Sequence, residues 1–206
     1  SFSGKAAGFS ILLLRTGIGP LRAAQALKKL DDTDAIPRFD FALSTGYAGA
    51  LRQELRPGHI IADIPGDLQR LAATAESAAR KSGLALHLGR IAHCDRVLAM
   101  PSQKRALGER EDAGAVDMET ASLRGWAEPS RIPVLAVRLI SDALEECLPE
   151  QVPGDGDLSA LAGYALSRFR LAQTEKIVVF CLATMAFPAA VAAIPGFLLL
   201  RDIGLL

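Results

Sequence analysis

Residues 115–143 read AVDMETASLRGWAEPSRIPVLAVRLISDA. Val116 leads into a segment, about 118–127, that suits a helix, and Pro133–Leu139 is an apolar run of strand length. Upstream, Phe39–Leu43 is a short strand running into Ser44-Thr45-Gly46-Tyr47-Ala48-Gly49-Ala50. Pro57-Gly58 marks a turn before the strand His59–Ile64. Asp67 is placed to cap a helix to about Ser82, which Gly83 ends. Segment 84–98 is strand-rich, 101–113 reads as a polar connection, and Leu158–Leu171 as a helix. Nearer the start, residues 9–15 predict a buried strand and Thr16-Gly17-Ile18-Gly19 a turn. Pro20 then suits the first position of the helix LRAAQALKKL, whose apolar residues recur at helical spacing. Strands alternating with helices predict an α/β domain, its sheet largely buried under helices on both faces. There is no internal repeat and no low-complexity linker.

The balance of charge narrows the partners. Lys plus Arg and Asp plus Glu are both 23 among 206 residues, so the usual electrostatic basis for nucleic-acid binding is missing. Half the residues are hydrophobic, which excludes a disordered chain. Cys94, Cys147 and Cys181 are odd in number and far apart, which argues against a disulfide framework and for a reduced, cytoplasmic compartment. No metal-ligand spacing links His59, His87 and His93, and no cofactor motif is expected.

The ends stand apart. The chain opens SFSGKAAGFSILLLRTG without an initiator Met, which reads as a cut inside a longer protein. Stretch 177–200 carries no charged residue and passes the length test for a membrane span. Pro188 and Pro195-Gly196 oppose one straight helix. Membrane association and a packed apolar helix pair both stay open. The expected division is a domain over 1–172 and a hydrophobic tail over 173–206.

Ligands of open α/β sheets collect at the carboxyl ends of strands, and three segments lie there. Ser44–Gly49 offers either a tight turn or, through two glycines, backbone amides for an anion or a sugar oxygen. In Val116-Asp117-Met118-Glu119-Thr120, the carboxylates either cap a helix or, at Glu119, accept two neighbouring sugar hydroxyls with Met118 beneath the ring. Ser141-Asp142 ends a strand, where a carboxyl group is either a cap or a proton donor. His93 and Cys94 are weaker candidates for a pocket lining.

Together the segments resemble the purine nucleoside phosphorylase and nucleosidase superfamily over about residues 8–172. Thr16-Gly17-Ile18-Gly19 comes first. Ser44–Leu51 with Leu55-Arg56-Pro57-Gly58 follows, then Val116–Glu119 with Ser141-Asp142. The nearest resemblance is to bacterial methylthioadenosine/S-adenosylhomocysteine nucleosidases. Gly89-Arg90-Ile91 through Asp95, Lys104–Leu107, Leu148-Pro149 and Gly156-Asp157-Leu158 resemble its hopanoid-associated branch, which implies adenosylhopane as substrate.

The resemblance implies a three-layer α/β/α fold with a mixed central sheet, a small-molecule purine nucleoside as partner and a homodimer. It implies that Asp142 protonates the leaving adenine, Ser141 orients it, Glu119 holds the ribose hydroxyls and Met118 lies under the sugar. Val97 and Leu98 fall on the base-binding segment, and Ser44, Thr45, Gly46 and Tyr47 on the glycine turn. Two departures stand out. Family members carry a strand before the equivalent of Gly8, with a Glu that positions water or a phosphate-binding loop, and this chain is read as lacking it. Phosphorylases also place an Arg where Ser44 stands, which favours water over phosphate as acceptor. A phosphate-dependent phosphorylase, with phosphate as co-substrate, and a non-catalytic nucleoside-binding protein are the alternatives.

Overall fold

The computed structural model describes residues 2–6, 9–31 and 39–148. The chain divides into two units, Arg15–Val152 and Ser1–Leu14 with Pro153–Leu206. The described part of the latter is a hairpin of β1 (Phe2–Ala6) and β2 (Phe9–Leu13), antiparallel with Ala6 opposite Phe9. A strand thus lies ahead of Gly8 where the sequence reading expects none. Nor is β2 the buried strand expected, since Ile11 is 46% and Leu13 55% exposed. Its ladder partner is β1 alone among the described residues, and a two-stranded ribbon buries little by itself. The helix expected at 158–171, the boundary at 172/173 and the apolar stretch 177–200 lie outside the described residues. Among the described residues no helix is long and apolar enough to cross a membrane.

Unit Arg15–Val152 is built on a six-stranded mixed sheet. Its strands are β3 (Ala42–Ala50), β4 (Ile60–Asp63), β5 (Leu86–Leu88), β6 (Ile91–His93), β7 (Ala115–Asp117) and β8 (Val134–Asp142), in the order β5-β4-β8-β3-β7-β6. The central pair β8 and β3 runs parallel, while β4 and β7 lie antiparallel on either side. Ala48, Ala50, Leu55, Ile61, Ile91, Ala115, Ala136 and Ile140 form one buried cluster along it. Each buried Ile there contributes about 1.5–3 kcal/mol. At the sheet edge, His87 on β5 stacks on His59, with ring centroids 5.0 Å apart. Burial first, then His87 and Arg56, lower the proton affinity of His59.

Among the described residues four helices surround this frame. Helix α1 (Pro20–Asp31) buries Ala23, Leu27 and Leu30, the apolar face read from the sequence. It is held to α4 (Thr120–Ala127) by Ser122 Oγ donating to Pro20 O and Trp126 Nε1 donating to Asp31 Oδ1. Helix α2 (Arg70–Lys81) ends as expected at Gly83, whose φ is +67°. Asp67 does not cap it: that residue lies in a short 3-10 turn, and α2 begins at Arg70.

The fourth element corrects the reading of 101–113 as a connection, for Pro101–Glu111 is helix α3. Pro101 occupies its first turn, where a missing N–H costs nothing. Its buried face is Lys104, Leu107 and Gly108. A lysine and a glycine there conceal the helical periodicity. A Cβ on Gly108 would come within 3.0 Å of Leu51, so glycine lets α3 lie close against the end of β3.

Candidate functional site

The three central strands carry the site. Segment Ser44–Ala50, a candidate turn from its sequence, is strand β3 itself. Its run of small and polar residues hides the alternation, but Ala48 and Ala50 are buried. Gly46 lies opposite Arg138 of β8. The Arg138 side chain crosses β3 beside Gly46 and reaches Asp117 of β7. Its Nε and Nη2 donate to Asp117 Oδ2 at 2.8 and 2.5 Å, Nη2 also to Ser44 Oγ (2.7 Å) and Thr120 Oγ1 (2.6 Å), and Nη1 to Val137 O. Arg138 and Asp117 are 2% and 4% exposed. Such a pair is sustained only with further hydrogen bonds around it, and here each guanidinium nitrogen has at least one acceptor. The Asp117 carboxylate also accepts from Thr120 N, so the strand-to-helix junction that presents Met118 and Glu119 is fastened from within.

Glu119 stands at the start of α4 and accepts a 2.7 Å hydrogen bond from Gly19 N. Gly17 and Gly19 have φ of +81° and +91°, a conformation that favours glycine, so the turn before α1 can aim an amide at the carboxylate. Burial raises the proton affinity of Glu119, opposed by the Gly19 N–H. Asp117 adds to the rise, and Arg138 counters it. One carboxylate oxygen is thereby oriented by backbone, which fixes the side chain for other donors.

Ser141 and Asp142 do not cap a helix. A bulge ends the β3–β8 ladder: Ala48 faces Ile140, Gly49 faces Asp142, and Ser141 is the extra residue. Ser141 Oγ lies 2.6 Å from Asp142 Oδ1 and 3.2 Å from Ala48 O. Asp142 Oδ2 accepts a 2.5 Å bond from the buried Lys104 Nζ. Gly49 is the common neighbour, paired with Val116 of β7 and with Asp142 of β8. A Cβ on Gly49 would meet Asp142 Oδ2 at 2.9 Å, whereas one on Gly46 would lie 3.9 Å from Arg138 Nε, an ordinary contact. Gly49→Ala is therefore expected to lower the free energy of unfolding by about 1–3 kcal/mol, the usual cost of overpacking. Gly46→Ala is expected to change it by less than about 1 kcal/mol, and urea denaturation of the two variants separates these outcomes.

The other candidates divide. Met118, Ser44 and Tyr47 are partly buried, and Thr45 is exposed. Val97 is partly buried, but Leu98 packs into a second core cluster with Leu51, Ala92, Leu107, Ala113 and Val116, so its side chain is committed to the core. Cys94 packs against that cluster, and His93 pairs with the exposed Asp95. A cleft of about 440 Å³ opens instead beside Asp63, Leu88 and Arg90, where Asp63 lies opposite Ala136, well before Asp142 on β8. Asp63, on the wall of this cleft, is held by Arg124 and Ile91 N, and neither Glu119 nor Asp142 lines it. No group of three or more His, Cys, Asp or Glu among the described residues could hold a metal ion. Two residues of the site, Arg138 and Lys104, are given no role by the sequence reading. Arg138 is a charge inside an apolar strand, a signal that was available, whereas Lys104 stands in a segment read as polar.

Comparisons with known proteins bear on this geometry. A family model described as the phosphorylase superfamily matches residues 67–162, which include Asp117, Glu119, Arg138 and Asp142. The 5′-methylthioadenosine/S-adenosylhomocysteine nucleosidase of Actinobacillus succinogenes is 29% identical over 170 residues, 69% of this chain and 72% of that one. Its Bacillus subtilis counterpart is 24% identical, covering 68% and 71%. Among solved structures, futalosine hydrolase of Helicobacter pylori aligns with a TM-score of 0.57 at 21% identity, over 70% of this chain and 71% of that one. These structural likenesses establish the mixed-sheet α/β fold.

Proposed function

We propose that this chain is a member of the phosphorylase superfamily, whose family model matches residues 67–162, and that it cleaves the N-glycosidic bond of a purine nucleoside. In this reading, adenine is released from a 5′-substituted adenosine and water is the acceptor. The observation that carries it is the pair of oriented carboxylates, Glu119 set by Gly19 N just beyond β7 and Asp142 set by Ser141 and Lys104 at the end of β8, two strands that share Gly49 as neighbour. As the bond breaks, the sugar becomes oxocarbenium-like and the base gathers negative charge. Asp142 gives the base a proton and Ser141 orients it, while water adds to the sugar C1′ and releases a proton to solvent, from which Asp142 is reprotonated. The Ser141 hydroxyl has one proton and two nearby acceptors, so by donating to Ala48 O it is free to accept from a protonated Asp142. Glu119 accepts the 2′- and 3′-hydroxyls and keeps the sugar aligned, above Met118.

The state of Arg138 supports water. A guanidinium does lie against Ser44, but Asp117, Thr120, Ser44 and Val137 engage all three of its nitrogens. Phosphate would have to displace buried partners to use it. The resemblance to the hopanoid-associated branch and the apolar stretch 177–200 extend the reading to a lipid-linked 5′ substituent such as that of adenosylhopane. The test is chromatography of the sugar product from methylthioadenosine with and without phosphate. Free sugar without phosphate supports the hydrolase, and strict phosphate dependence with a sugar 1-phosphate product replaces it by a phosphorylase.

The raised proton affinity of Glu119 gives a pH dependence. Its carboxylate is the form that accepts ribose hydroxyls, and burial shifts protonation to higher pH. The acid-side fall in kcat/KM is therefore expected to begin above the ordinary glutamate range. Glu119→Gln is expected to flatten that limb and lower kcat/KM about 10–100-fold, the size of a lost charged hydrogen bond.

A further inference from the structure

Lys104 is a charged side chain only 1% exposed, reached by no sequence motif for catalysis. Its three ammonium protons have three acceptors: Asp142 Oδ2 at 2.5 Å, Ala143 O at 2.8 Å and Glu146 O at 3.1 Å. Ala143 N in turn donates to Glu146 Oε2, and Leu148 N to Ala99 O. One side chain from α3 thus gathers the end of β8 and the loop after it. Helix α3 is held for this by Gly108, one turn on from Lys104 and on the same face, where close packing on Leu51 sets how near the helix lies. A buried lysine is costly to keep charged, and here full satisfaction of its protons offsets that cost.

We propose that Lys104 is the positioning residue of Asp142: it fixes Oδ2, leaves Oδ1 beside the Ser141 hydroxyl as the oxygen that meets the base, and places a positive charge behind the carboxyl group. This rests on the reading of Asp142 as the acid for the leaving base. A staple alone would need only hydrogen-bond donors. A fixed cation in a low-dielectric site does more, because it stabilises the carboxylate left on Asp142 once its proton has gone to the base.

The experiment measures kcat and KM for adenine release from methylthioadenosine between pH 5 and 9, using the full chain and the variants Lys104→Met, Lys104→Gln and Asp142→Asn. Gln keeps an N–H donor for the loop carbonyls and removes the charge. Both Lys104 variants are expected to lower kcat tenfold or more with KM within about twofold. A folded Lys104→Gln protein with the parental kcat, or one whose loss falls on KM and not on kcat, overturns the proposal. So does failure of both variants to fold, judged by circular dichroism, since the role is then structural. Asp142→Asn separates the two levels: full activity there removes Asp142 as the acid, whereas its loss beside parental kcat in the Lys104 variants removes only Lys104.

Discussion

Asp142→Asn is expected to reduce kcat for adenine release by about 10²–10⁴-fold, the usual worth of a positioned proton donor. The asparagine keeps the shape and still accepts from Lys104 Nζ through its carbonyl oxygen, so the bulge at Ser141 and the packing on Gly49 should survive. Without a carboxyl proton the base must leave as an anion. The loss should fall on kcat and leave KM nearly unchanged, since the ribose contacts belong to Glu119. Steady-state kinetics together with near-UV circular dichroism checks it. A fold-retaining variant with parental kcat removes Asp142 from the mechanism.

The second large effect is on stability. Arg138→Met is expected to destabilise the chain by about 3–5 kcal/mol, because it leaves the Asp117 carboxylate buried beside an apolar side chain. For a domain of this size that lowers the thermal midpoint by roughly 10 °C or more. Ser44 Oγ and Thr120 Oγ1 lose the same donor, which adds to the cost. The double variant Arg138→Met with Asp117→Leu should recover much of the loss, since replacing both members of a buried pair by apolar groups is often neutral. Calorimetry of the single and double variants measures the coupling. Equal destabilisation in both would mean that packing of the arginine stem, and not the stranded charge, sets the cost.

Both effects arise from residues whose sequence context conceals them to different degrees. The turn at Gly17–Gly19, helix α1, strands β4 and β8, and the carboxylates at 119 and 142 were legible, because glycine–proline punctuation and apolar periodicity report local structure directly. Strand β3 was not, since Ser44, Thr45, Gly46 and Gly49 carry no apolar alternation and owe their pairing to β8 and β7 on either side. Helix α3 was hidden because its buried face includes a lysine and a glycine, each there for a tertiary reason: Lys104 to meet Asp142, Gly108 to approach Leu51. Leu98 illustrates the converse. Its place in the base-binding segment follows from resemblance, yet its side chain is taken by the core.

The functional reading then hangs on whether two fixed carboxylates turn a nucleoside over or merely hold it. The decisive observation is free adenine formed when the full chain is incubated with methylthioadenosine in phosphate-free buffer. Adenine accumulating over many turnovers, at a rate about 10²–10⁴-fold lower with Asp142→Asn, is the expected result. Methylthioadenosine that binds and is recovered intact would contradict it and leave a nucleoside-binding protein.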